Sequence, residues 1–226
     1  MNPDSVNSPA LKAVLIFGGL AVFLVIASIL FGVVLDHTMP RAKLPVFATI
    51  THDLEATERS GKPVRMADLR GKVFTCAYLY TVCPHGCTAV IGQMLKLHRA
   101  FGSRPDFHQV SVAVVPERDT APFLDAYARG LQLSTEDHWW FLTGDQRKLW
   151  GFMDKELQLT PAKAIPAEER LNPLDLYAHD LRIVLVDRQG RVRGYYAVFH
   201  PQHEIAEVMC EHLMRDTRTL LESPDL

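Results

Sequence analysis

Cysteine is scarce in this chain, with four among 226 residues. So few cannot staple a disulfide-built miniature, and a chain of this length buries a core without them. Charge of one sign is also missing. The formal net charge is -2, which leaves no basic field to draw nucleic acid. There are no internal repeats and no low-complexity tracts, which excludes solenoids and disordered tails. The first ten residues lack the Arg-rich amphipathic character of a mitochondrial transit peptide, which points to a bacterial membrane instead.

The longest absence is of charge itself. Ala13 to Leu35 are 23 consecutive uncharged residues, and at 1.5 Å per residue such a helix crosses a hydrocarbon core of about 30 Å. A signal peptide has a shorter apolar core, of about 7–15 residues. No small-X-small cleavage site precedes Pro40 and no cysteine follows for lipidation, so an uncleaved anchor is expected over 13–35. Lys12 on one side is balanced by Arg41 and Lys43 on the other, so charge does not orient it. Residues 36–46, with two prolines, read as a linker, and one α/β domain as filling 47–226.

Within that domain the most informative stretch is Val73 to Cys87. Val73–Tyr80 is uncharged and rich in β-branched and aromatic residues, as expected of a strand buried on both faces. Cys83 and Cys87 follow it. Pro84 suits a first helical position, which predicts a helix from Cys83 with Cys87 one turn on, over the same face. The unpaired N–H groups there would favour thiolate, suited to a nucleophile or a soft-metal ligand. Two buried thiols or an ordinary disulfide would show the same spacing.

Around this stretch the pattern alternates. Phe47–Leu54 and Gly61–Met66 suggest a hairpin, and Val90 to Phe101 has helical spacing. Phe107–Val115 reads as a strand. A helix capped by Asp119 or Thr120 follows, with Phe123, Leu124 and Tyr127 facing the core. Trp139–Leu142 is the next strand, and Asp145 caps a helix carrying Leu149, Trp150 and Phe152. Leu157–Tyr177 reads as a surface excursion, residues 181–187 and 191–198 as an antiparallel hairpin, and Gln202–Leu221 as a final helix covering the sheet through Ile205, Val208, Met209, Leu213 and Leu220.

Of ten histidines, His179 stands out by its place before the strand at 181–187, although a solvated loop histidine would look the same. The order Gly71-Lys72, strand, Thr81-X-Cys83-Pro84-X-X-Cys87, Pro116-Glu117-Arg118-Asp119-Thr120, Leu142-Thr143-Gly144, then His179 ahead of Ile183-Val184-Leu185-Val186-Asp187 resembles the SCO/SenC family. The resemblance spans about residues 47–220.

It implies a thioredoxin-like fold with an N-terminal β-hairpin extension, preceded by a single transmembrane helix. It also implies one copper ion held by Cys83, Cys87 and His179. The expected role is a metallochaperone that helps to assemble a copper centre in a respiratory oxidase. The expected partners are the bilayer and the copper-site subunit of cytochrome oxidase or another copper enzyme. The expected place is the bacterial inner membrane, with the domain in the periplasm and the amino terminus inside. Two thiolates and an imidazole suit Cu(I), whereas zinc usually takes a fourth ligand.

Three positions depart from the family pattern: His85, Val115 and Ala178 stand where acids are frequent. His85 reads as a fourth ligand, a proton donor or an exposed residue without a role. Cys76 and Cys210 read as core thiols, Trp139 and Trp150 as core, and His200-X-X-His203 as a solvated helix start. Arg118 with Asp119 reads as a brace at a helix entry. Two other functions fit the cysteines. One is a metal-independent thiol-disulfide oxidoreductase using Cys83 and Cys87 as its redox pair, and the other is a thiol peroxidase.

Overall fold

The computed structural model describes residues 9–38 and 43–223. The amino-terminal segment before Pro9 and linker residues 39–42 lie outside the described residues. The chain divides into two units at Ala42/Lys43. The first contains helix α1, Pro9–Thr38. Its Val14–Gly32 stretch is long and apolar enough to cross a membrane by length and composition. The one hydroxyl in that stretch, on Ser28, donates to the Val25 carbonyl at 2.8 Å.

The second unit is built on an eight-stranded mixed sheet. In chain order its strands are β1 (Ala48–Thr49), β2 (Glu55–Glu58), β3 (Pro63–Arg65) and β4 (Val73–Leu79). Helix α2 (Cys87–Phe101), β5 (Phe107–Ala113), α3 (Ala121–Gly130), β6 (Trp139–Thr143) and α4 (Gln146–Lys155) follow. A small two-stranded sheet of β7 (Lys163–Ala164) and β8 (Tyr177–Ala178) lies within the excursion. The chain closes with β9 (Ile183–Val186), β10 (Arg191–Tyr196) and α5 (His203–Glu222). The sheet order is β1-β10-β9-β4-β5-β6-β2-β3.

Every residue of β4 and of β5 is buried, which is why β4 reads as a near-continuous apolar run, while β5 buries His108, Gln109 and Ser111 among its apolar residues. The β4 side chains alternate between two cores. Val73, Ala77 and Leu79 meet Val90, Met94 and Leu97 of α2, Leu124 of α3 and Leu213 of α5. Phe74, Cys76, Tyr78 and Tyr80 meet Leu149, Phe152 and Met153 of α4. Strand β4 pairs in parallel with β5 and antiparallel with β9. Its carboxyl end is therefore a switch point of the kind at which α/β sheets place their sites.

Three local expectations are corrected. The run 47–54 meets 61–66 only at its end, where the Met66 N–H donates to the Leu54 carbonyl at 3.0 Å. Ala48 and Thr49 pair with β10, and the hairpin joins β2 to β3. The turn sets this register, because Gly61 adopts φ 82° and its N–H bonds to the Glu58 carbonyl at 2.7 Å. Helix α2 begins at Cys87 rather than Cys83, with Gly86 as its N-cap. Cys83 sits instead in a turn closed by its own N–H on the Tyr80 carbonyl at 3.0 Å.

The third correction concerns helix faces. Phe123, Ile205 and Val208 are exposed. Burial sets in at Leu124 in α3 and, apart from Ala206, at Leu213 in α5.

Candidate metal centre

Two strands bring the centre together. In the β4/β9 pairing Phe74 lies opposite Val186, Thr75 opposite Leu185 and Cys76 opposite Val184. Each step up β4 is a step down β9, so the same register continued brings His179 level with Thr81. The cysteine loop begins there. Helix α2 then starts at Cys87, whose sulfur lies 3.2 Å from His179 Nε2. Ligand atoms of Cys83, Cys87 and His179 all lie within 4.8 Å of one another.

The imidazole is oriented for this task. His179 Nδ1 donates to the Asp180 carbonyl at 2.9 Å, which leaves the Nε2 lone pair towards Cys87. The rings of Tyr78 and Tyr80 stand edge-on to it, with centroids 5.7 and 6.0 Å away. Its ring is thereby walled on the side facing β4.

The two thiols are unequal. Cys87 is buried and Cys83 is half-buried. A hydrogen bond from Cys87 holds the Cys83 thiol pKa down to about 3 against the cost of burial, helped by His179 and by the N–H groups of Cys87 and His85. The first N–H of α2 thus serves Cys83, although Cys83 is outside the helix. Cys87 is pushed up, first by its bond to Cys83, then by burial and by the Cys83 charge. Without metal, this is one thiolate beside one thiol.

The loop between them is packed from both sides. A Cβ at Gly86 would lie 2.5 Å from the Phe199 ring and 2.8 Å from Leu181, so only glycine lets the chain pass there. His85 is not without a partner. Its Nε2 lies 3.0 and 3.1 Å from the two carboxylate oxygens of Asp175, ninety residues away. The Thr81 hydroxyl donates to Asp119 at 2.7 Å, so Asp119 braces the cysteine loop, a partner beyond the helix entry. None of these three contacts has a local sequence signal except the glycine itself. Of the positions lacking the expected acid, Val115 is buried and Ala178 is exposed in β8; the Asp175 carboxylate stands by the loop instead.

The remaining candidates fall outside the centre. Cys76 is fully buried against Met153, with 3.8 Å between the sulfurs, and burial raises its pKa. Cys210 is half-buried. Trp139 is core, and Trp150 donates to the Val114 carbonyl and packs on Tyr177. His200 accepts from Gln202 N–H and His203 pairs with Glu207, so the two do not converge.

A soft, three-ligand group at the end of the central strand agrees with comparisons to known proteins. The SCO1/SenC family model matches residues 44–214. The chain belongs to the SCO1/SenC family. It is 31% identical over 140 residues to the SCO1 protein homolog of Bacillus subtilis (strain 168), covering 61% of this chain and 68% of the relative. The structure of Bradyrhizobium japonicum ScoI with copper bound is similar at a TM-score of 0.55 and 24% identity, covering 72% of this chain and 98% of that one. BsSco, a member of the Sco family of cytochrome c oxidase assembly proteins in which a disulfide switch was identified, is similar at 0.60 and 21%, covering 79% and 97%. These likenesses establish the Sco thioredoxin-like fold, and the Cys83, Cys87 and His179 cluster fits copper binding.

Proposed function

We propose that this SCO1/SenC protein is a membrane-anchored copper metallochaperone. One copper ion is its cargo, held by Cys83, Cys87 and His179. The observation that carries the reading is the approach of three soft-ligand atoms to within 4.8 Å. Cu(I) accepts such a low-coordinate set, and an open position lets an incoming ligand replace an outgoing one. Half-buried Cys83 is the ligand that a recipient reaches first.

Segment 13–35 anchors the chain in the bacterial inner membrane, 36–46 is the linker, and 47–226 stands in the periplasm with the amino terminus inside. The long apolar helix supports the anchor. The recipient is the copper-site subunit of a respiratory oxidase, a reading supported by the oxidase-assembly role attributed to BsSco.

Copper content of the full-length chain in detergent tests the reading. Wild type is expected to bind one tightly held Cu(I) per chain and His179→Ala to lose it to a competing chelator. Equally tight copper in His179→Ala would overturn the assignment.

A second reading rests on the unequal thiols. The Cys83 thiolate attacks a recipient disulfide and releases one recipient thiolate. Cys87 then gives up its proton and attacks Cys83, forming the intramolecular disulfide and releasing the second thiolate. The chain is oxidised and the recipient's copper-site cysteines are reduced. Cys87→Ser is expected to trap the mixed disulfide; its absence from cells making the oxidase would count against this activity.

A further inference from the structure

His85 and Asp175 belong to different parts of the chain and meet beside the metal centre. His85 lies inside the cysteine loop, between the two cysteines. Asp175 lies in the excursion, four residues before His179, with its side chain fully buried, while the imidazole of His85 is 41% exposed. A carboxylate only accepts, so the bond at 3.0 Å fixes the proton on His85 Nε2. The carboxylate is itself held, since Asp175 Oδ2 accepts from the Leu171 N–H at 3.1 Å.

A second contact runs parallel to the first. The Tyr80 hydroxyl, three residues before Cys83, donates to the Leu174 carbonyl and accepts from the Leu176 N–H at 3.0 Å. Two polar contacts thus dock the segment leading to His179 onto the segment carrying both cysteines. Only His85–Asp175 reaches the interior of the Cys83–Cys87 loop.

We propose that His85 and Asp175 form a positioning latch that holds the cysteine loop against the His179 segment before copper arrives, and so slows its departure. The inference rests on the copper reading above. Ordering the ligands in advance removes the entropic cost of collecting them at the moment of binding. Partners that orient ligands from outside typically change metal affinity about 10–100-fold. His85 acts as a donor to Asp175 and does not become a ligand itself.

The test is Cu(I) release from the full-length chain in detergent to a saturating chromogenic chelator, for wild type, His85→Ala, His85→Gln and Asp175→Asn. Among the described residues, His85→Ala leaves the buried Asp175 carboxylate with the Leu171 N–H alone, so it is expected to lower the unfolding temperature somewhat while keeping one copper per chain, and to release that copper about tenfold faster. His85→Gln keeps an N–H donor near the Nε2 position and is expected to return the rate to within about twofold of wild type. Combining His85→Ala with Asp175→Asn is expected to add nothing to the faster single variant.

Release from His85→Ala at the wild-type rate would overturn the latch. So would a His85→Gln as fast as His85→Ala, since the imidazole would then be acting as a ligand. A wild-type chain that binds no copper would overturn the copper reading instead.

Discussion

Thr81 and Asp119 are joined by a 2.7 Å hydrogen bond between hydroxyl and carboxylate, which ties the foot of the cysteine loop to the turn that opens α3. Asp119 is wholly buried, and among the described residues its second oxygen has no hydrogen-bond partner. Thr81→Val is therefore expected to lower stability by about 1–3 kcal/mol, the cost of a buried polar group stripped of its partner. Chemical denaturation of the full chain measures it.

The same carboxyl has a pH signature. Burial, offset only in part by Thr81 and Arg118, raises the Asp119 pKa above the ordinary carboxylate value. A raised folded pKa means the folded state binds the proton more tightly, so this group's contribution is full below the unfolded pKa and is lost as pH rises through the folded one. Asp119→Asn keeps a carbonyl oxygen for Thr81 and removes the titration. Its stability relative to wild type is expected to rise between acid and neutral pH, and a constant difference would contradict the assignment.

Cys83 should react as a thiolate where ordinary cysteines do not. With its pKa held near 3 in the metal-free protein, its iodoacetamide alkylation rate is expected to stay nearly flat from neutral pH down to about pH 5. An unperturbed thiol, with pKa about 8.5, slows about tenfold for each pH unit over that range. Mass spectrometry of the alkylated chain should find the label on Cys83 and not on buried Cys87.

Gly86→Ala drives a methyl group into Phe199 and Leu181. The expected cost is about 1–3 kcal/mol from overpacking. Phe199→Ala should recover part of it, because the ring supplies the nearest clash. A double-mutant cycle that finds the two changes additive would show that the loop escapes the clash by another path.

Removing the Tyr80 hydroxyl leaves the Leu174 carbonyl and the Leu176 N–H without their shared partner. Tyr80→Phe is expected to speed amide exchange at Leu176 by about tenfold, the loss of roughly 1.4 kcal/mol of local protection, while β4 amides keep theirs.

The parts of this molecule legible in the sequence are those written by local pattern. The uncharged run of α1, the apolar run of β4 and the Asp145 cap of α4 needed only neighbours within a few residues, whereas His179 joined the two cysteines only through the order of motifs along the domain. Asp145 does accept from the Lys148 N–H. What escaped was written by distant neighbours. Helix α2 starts at Cys87, after a Gly86 whose lack of a Cβ is set by Phe199 and Leu181 from far along the chain. Phe47 to Ile50 follow β10 across the sheet. Ile205 and Val208 are apolar at helical spacing, yet both are exposed, and apart from Ala206 the buried residues of α5 begin at Leu213. His85 leaves three readings open in the sequence, as a fourth ligand, a proton donor or an exposed residue without a role, because its partner is ninety positions away.

The antiparallel pairing of β4 with β9 has a mechanical consequence. His179 hangs close to the first residues of a strand laced into the middle of an eight-stranded sheet, whereas Cys83 stands in a turn outside any regular element. The centre resembles tweezers with one jaw bolted to the frame. On the copper reading proposed above, Cys83 is the ligand that a recipient would displace without unpairing a strand of the sheet.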